Sequence, residues 1–250
     1  MHRQQCYHSI PLETLRQEIA RIEGGRRGQD DPPVSSGCEA LDRILPERGL
    51  RRGTLTEWLA DDQGAGATTL ALLAAQAACG EGGVLVVVEG SRQFYPPAAA
   101  RRGIVFGRLL VVCAGQRADH DWALDQALRC PAVAAVMAWP EAIDGRCEGR
   151  ILRRLQLAAE AGGSLGLLIR PASVRHEPSW ADVRLLVEPR PAAGGQNRRL
   201  RALLLHGRGG VEGRSVELEF DDESRTLRET ARLARTAAGA RLAGGMVPTL

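Results

Sequence analysis

Lysine is missing from this chain: all 33 of its basic residues are arginine. A codon bias that turns lysine into arginine explains such a pattern, but it leaves a cation wherever one is required. Aromatic residues are scarce as well, at 4% of 250 residues. Leucine, valine and alanine must therefore build the core, and the interleaved rings of a nucleic-acid stacking platform are wanting. No apolar run approaches the ~20 residues of a membrane span. No charged-then-apolar leader with a small-residue cleavage site opens the chain. These two absences lead us to expect a cytoplasmic protein with no membrane partner. The six cysteines, Cys6, Cys38, Cys79, Cys113, Cys130 and Cys147, form no C-x-x-C pair, which argues against a zinc ribbon or a dithiol redox motif. His2, Cys6 and His8 cluster near the N-terminus, where a frayed end is the simpler reading; no metal is expected. The net charge of +3 makes no global case for a polyanionic partner.

What is present is an alternation of short apolar runs and helical patterns, in a length that suits one α/β domain with modest extensions. Leu12, Leu15, Ile19 and Ile22 mark one face of an amphipathic N-terminal helix that either packs on the core or docks on a partner. A Gly/Arg/Asp/Pro linker follows, so residues 1–33 form a helix-and-linker segment ahead of a core at 34–223. Within the core we predict strands at 54–59, 84–88, 109–113, 132–138 and 165–169. Helices are expected over 38–44, 70–79, 96–103, 119–129 and 147–161. Such alternation means a mostly parallel, doubly wound sheet. After Pro178 the pattern changes: 183–188, 200–206 and 215–220 read as strands joined by Gly/Pro/Asn turns, an antiparallel extension at one edge. Residues 224–250 are expected to hold a C-terminal helix and a loose tail. Arg225, Arg228, Arg232 and Arg235 would line one face of that helix, solvated or docked on an acidic partner.

The segment between the first strand and the Leu70 helix has the strand–loop–helix setting of a phosphate-binding loop, G-x-x-x-x-G-K-[ST]. Gly66, Thr68 and Thr69 fit that pattern, and Gly64 lends the loop further freedom. The first glycine is replaced by Asp61 and the lysine by Ala67. Without that lysine nothing on the loop supplies the point charge that reaches the β- and γ-phosphates. Codon bias alone would have placed arginine at 67. Asp61 and Asp62 add negative charge where a phosphate would approach. Loop N–H groups and the helix dipole could still hold an anion weakly.

The order of elements resembles the RecA core, carried by "VSSGCEALDRILPERGLRRGTLTEWLADDQGAGATTLALLAAQAA" (34–78) and later by "SWADVRLLVEPR", "RRLRALLLHGRGG" and "GRSVELEF". Two short features, Phe94-Tyr95-Pro96-Pro97-Ala98 and Leu167-Leu168-Ile169-Arg170-Pro171, make it resemble most closely the ImuA family, a RecA-like, SulA-related group. The fold expected is a RecA-like P-loop α/β fold, with an antiparallel C-terminal edge and an N-terminal helix. In such an ATPase the acid that positions the attacking water corresponds to Glu89. Here it reads as a vestigial acid. The magnesium-binding aspartate would fall at Ala138 or Trp139, and the γ-phosphate sensor glutamine near Arg170 or Pro171; neither is present. No cofactor and no catalysis are expected.

The resemblance implies a non-catalytic adapter in DNA-damage-induced translesion synthesis. Its partners would be an ImuB-type relative of the Y-family polymerases and an error-prone C-family DNA polymerase. Two alternatives stand beside it. One is a DNA-dependent ATPase of RecA type with an unconventional loop, in which an arginine replaces the lysine. The other is a SulA-like inhibitor of cell division. Arg198, Arg199 and Arg201, beside a Gly/Gln/Asn hairpin tip, with Arg208 and Arg214 in nearby glycine turns, are candidates for contact with single-stranded DNA or a partner.

Overall fold

The computed structural model describes residues 31–61, 64–80, 82–90, 94–140, 149–191, 197–221 and 226–230. The expected N-terminal helix, with Leu12, Leu15, Ile19 and Ile22, lies outside them, as do Cys6, Cys147 and the arginines at 225, 232 and 235. The chain enters through a short helix α1 (Glu39–Asp42) and strand β1 (Leu55–Ala60), which passes into helix α2 (Ala67–Cys79). Then follow β2 (Val84–Glu89), α3 (Pro96–Arg101), β3 (Leu109–Cys113), α4 (Arg117–Arg129), β4 (Val133–Ala138), α5 (Gly149–Gly162) and β5 (Leu165–Pro171). A 3-10 turn (Ala172–His176) leads to β6 (Val183–Arg190), β7 (Arg198–Gly207), β8 (Ser215–Asp221) and β9 (Thr226–Glu229). All nine strands form one sheet in the order β3-β2-β4-β5-β1-β6-β7-β8-β9. From β3 to β6 neighbours are parallel; from β6 to β9 they are antiparallel.

Buried parallel strands need apolar residues on both faces, and β2, Val-Leu-Val-Val-Val-Glu, supplies them. Leu85 and Val87 face one cluster with Trp58, Met137, Leu167 and Leu185; Val86 and Val88 face another with Val136 and Leu168. Helix α2 covers the first face. It is alanine- and leucine-rich, the best helix-forming composition, and buries Leu70, Ala71, Leu72, Ala74 and Ala75. Helices α4 and α5 cover the second through Leu124, Leu128, Leu152, Leu155, Ala158 and Ala159. The junction of those two helices depends on Gly162, because a Cβ there would come within 2.1 Å of the Leu128 carbonyl oxygen. A small third cluster, Leu59, Ala172, Val174 and Leu186, lies under the 3-10 turn.

Where a helix was expected from Ser224, Thr226–Glu229 instead form β9, paired antiparallel with β8 through Leu218↔Glu229 and Phe220↔Leu227. Leu227 packs against the first core cluster, and Glu229 makes an ion pair with Arg43 just after α1. The open edge of β8 and an apolar contact at 227 outweigh local helix preference there. Helix α2 also begins three residues earlier than the periodicity suggested, because Ala67, Thr68 and Thr69 form its first turn.

Candidate functional site

Strands β1 to β6 are parallel, so their carboxyl ends lie along one edge of the sheet, where open α/β sheets bind ligands. Asp61, Gly64, Gly66, Glu89, Trp139, Pro171 and Arg190 all lie toward this edge. Gly66 takes a left-handed conformation (φ 96°) and caps α2. It sits hard against β7: a Cβ at 66 would lie 2.7 Å from the Leu200 Cδ2 atom. Ala65 and Ala67 are buried, while Thr68 and Thr69 are half-buried and Gly64 and Asp61 exposed. The position that carries lysine in a working phosphate loop therefore holds a methyl group in the core. Asp62 lies outside the described residues.

Glu89 is buried at the end of β2. One carboxylate oxygen accepts the Phe94 N–H at 2.8 Å and the other faces the Cys113 thiol at 3.7 Å. It fastens the start of the 94–101 segment to the strand end. Trp139, which follows β4, packs its ring at a tilt against Phe94, with centroids 6.3 Å apart. An aromatic ring thus stands at 139, one of the two positions, with 138, at which a magnesium-holding carboxylate was expected.

Arg170, which with Pro171 marks where a sensor glutamine was expected, is 3% exposed and turned into the fold. Its Nη1 donates to Glu57 Oε1 at 2.7 Å, while Arg184 Nε donates to Glu57 Oε2 at 2.7 Å and Ser179 Oγ to Oε1 at 2.8 Å. Arg184 also donates to the carbonyls of Val174, Arg175 and Glu177, and the Glu177 carboxylate lies 3.7 Å from Arg170. One fully buried carboxylate therefore ties β1, β5 and β6 to the segment 172–179. We did not foresee this network from the sequence. Its signal was available: Glu57, Arg170 and Arg184 each stand next to apolar residues within a core strand, and a buried charge requires a partner.

The five arginines expected to contact single-stranded DNA or a partner are spread along β7 and its connection to β8. Arg198, Arg199 and Arg201 lie on β7, Arg214 lies beside the same strand with its carbonyl accepting the Leu204 N–H at 2.8 Å, and Arg208 follows the strand's end. Acids face two of the β7 arginines. Arg199 binds Glu219 at 2.9 Å, Arg201 lies 3.7 Å from Glu188, and Arg190 lies 3.5 Å from Glu188. The Asn197 amide and the Arg199 guanidinium hold Glu219 below its ordinary carboxylate range. Arg208 faces Asp182 at 3.9 Å. The alternation is sheet electrostatics, in which opposite charges on neighbouring strands attract. Phe220 is no stacking surface either, since it is 2% exposed with the guanidinium groups of Arg102 and Arg198 at 4.1 and 5.2 Å from its centroid.

Between the loop and the β6–β7 strands lies a cleft of about 230 Å³, bordered by Gly64, Gly66, Thr69, Arg190, Arg199 and Leu200. Arginines stand beside apolar side chains along its wall, with Pro189 and Phe220 among the latter. Among the described residues no group of three or more His, Cys, Asp or Glu could hold a metal ion. No described helix is long and apolar enough to cross a membrane.

No protein-family model matches this chain. Among curated proteins it is similar to Protein RecA of Chlorobaculum parvum, with 33% identity over 108 residues, 41% of this chain and 31% of that protein. It is similar as well to Protein RecA of Chlorobium chlorochromatii, with 36% identity over 93 residues, 37% of this chain and 26% of that protein. The chain therefore spans less than a third of the length of these curated relatives. Among solved structures it is similar to the RadB recombinase, with a TM-score of 0.60 and 18% identity, covering 79% of this chain and 99% of the other. That strand order, that loop and these likenesses together give the chain a RecA-like core, with its antiparallel edge extended by β7 to β9.

Proposed function

We propose that this chain is a non-catalytic accessory protein of the ImuA type, a cytoplasmic adapter in DNA-damage-induced translesion synthesis. It uses the RecA-like frame to bind an ImuB-type relative of the Y-family polymerases and an error-prone C-family DNA polymerase. The observation that carries the reading is Ala67, a methyl group buried in the core where a lysine would meet phosphate. Two further positions agree with it. The end of β4 offers the Trp139–Phe94 pair instead of a carboxylate, and the end of β5 offers an arginine already bound to Glu57. Phosphoryl transfer rests on a cation at the transferring phosphate, a magnesium shell and a positioned water, and two of these three have no residue here. The exposed apolar side chains Val105, Phe106 and Leu110 beside and on edge strand β3 suit a frame used for protein contact.

A second reading, a DNA-dependent ATPase with a rebuilt loop, draws on Glu89 and on the arginines bordering the cleft. It is the weaker one, because Glu89 is engaged by Phe94 and Arg199 by Glu219. The two readings separate in one preparation. Mg-ATP binding and turnover are measured for the purified chain with and without single-stranded DNA. No turnover, together with co-elution with an ImuB-type partner, is expected. DNA-stimulated hydrolysis that disappears in Glu89→Ala would replace the adapter by a motor.

A further inference from the structure

Strand β3 stands outermost in the sheet, paired among the described residues with β2 alone. Edge strands of soluble proteins are normally guarded by charge, proline, a bulge or a covering element. The run Leu109-Leu110-Val111-Val112-Cys113 has no charged residue and no proline, and its register with β2 continues unbroken from Leu109 to Cys113. The opposite edge, β9, differs, since Arg228 and Glu229 stand in it. Val105 and Phe106, just ahead of β3, and Leu110 on it are 60%, 59% and 55% exposed.

One bond sets the direction of the free backbone groups. The Ala114 N–H donates to the Glu89 carbonyl of β2 at 2.9 Å. Successive residues of a strand bond to opposite sides, so Leu110 and Val112 also turn their N–H and C=O groups toward β2. Leu109, Val111 and Cys113 turn theirs outward. Side chains alternate as well. Leu109 and Val111 pack against the first core cluster and Val112 against the second, beneath α4. Leu110 therefore shares the α4 side with Val112.

We propose that β3 pairs antiparallel with β3 of a second copy, about a two-fold axis through Val111, so that two sheets become one. In that register Val111 meets Val111 and Leu109 meets Cys113, through the outward N–H and C=O groups. Leu110 meets Val112 of the other copy in the closer kind of cross-strand pair, which covers the exposed leucine. Charge favours a second copy in this orientation. Arg108, exposed just ahead of the strand, and Asp119, exposed in the first turn of α4 just after it, make no ion pair among the described residues. Antiparallel pairing brings Arg108 of each copy toward Asp119 of the other and leaves the two Arg108 side chains at opposite ends of the seam. Parallel pairing would set Arg108 beside Arg108. The other charges nearby do not reverse this: Arg101, exposed where α3 ends, has the sign of Arg108, Arg117 lies 3.6 Å from Asp121, and Glu89 is buried against the Phe94 N–H. A contact of β3 with β9 of another copy would not close and would run on into fibres.

The test is sedimentation velocity of the full chain across the micromolar range. A concentration-dependent dimer, with no larger species, is expected. Leu110→Asp, at an exposed position, should weaken the dimer roughly tenfold or more at unchanged circular dichroism, because it places a carboxylate in each cross-strand pair of the seam. Arg108→Asp and Asp119→Arg should each weaken it roughly threefold, as the loss of an exposed ion pair does, and the doubly swapped chain should recover the parent affinity. A parent that sediments as a monomer throughout the range overturns the proposal. So does a dimer indifferent to Leu110→Asp, a pair of charge reversals whose losses add instead of cancelling, or open-ended assembly. The pairing does not depend on the adapter reading, on which ATP turnover of the same preparation reports separately.

Discussion

Glu57 is fully buried between two guanidinium groups, a hydroxyl and the strands they belong to. Its removal leaves two buried cations without their main partner, and breaking such a pair costs about 3–5 kcal/mol. Glu57→Ala should therefore unfold at much lower urea concentration than the parent, and a midpoint within error of the parent would refute the role given to the network. Replacing Arg170 together with Glu57 by apolar residues should recover part of the loss. Cysteines offer a second test at this scale. Burial pushes the Cys79 thiol up to about 11, so little thiolate exists near neutrality. Mass-spectrometric mapping of iodoacetamide labelling should find exposed Cys113 modified well before Cys79. Asp182 has its carboxyl pushed up by burial, with Arg208 opposing. The folded chain thus holds that proton more tightly than the unfolded chain does. Its contribution favours the fold at low pH and is lost as pH rises through the carboxylate range toward the raised folded value. Asp182→Asn should accordingly gain thermal stability relative to the parent as pH goes from about 4 to about 7. Calorimetry showing a constant difference would contradict this.

Elements depend on a few close approaches. Gly162 lets the end of α5 reach the Leu128 carbonyl oxygen, and a methyl group there has no room. Gly162→Ala should cost about 1–3 kcal/mol by forcing α4 and α5 apart, read as a lower midpoint in urea. Strand β9 supplies Leu227 to the core and Glu229 to Arg43. A chain ended at residue 223 should lose about 1–2 kcal/mol, from partial exposure of apolar area, and should leave β8 as a bare edge prone to association. Equal stability and an unchanged state of association for the shortened chain would show β9 to be dispensable.

Across the whole molecule, the cleft beside the loop is shaped by Leu200, which would meet a Cβ at Gly66, while Ala67 joins the core. Ala67→Lys should therefore not create turnover. The new ammonium would enter a buried site with no magnesium shell beside it, so the variant should only be destabilised, and Mg-ATP hydrolysis above the parent would overturn that account. Much of this was legible in the residues themselves. Apolar β-branched runs separated by helical periods specify parallel strands with covered faces, because period and burial are local matters. The gaps at 67, 139 and 170 could likewise be read in order along the chain. Charge partners could not. Whether Arg199 meets phosphate or Glu219, whether Arg170 senses a ligand or neutralises Glu57, and whether 226–229 coil or pair with β8 depend on residues remote in sequence. Sequence by itself determined the alternating frame and the missing loop cation, because each follows from neighbours a few positions apart. Only the tertiary structure decided which charges cancel, which edge β9 closes, and that β3 stands outermost, because these depend on how distant strands fall into register.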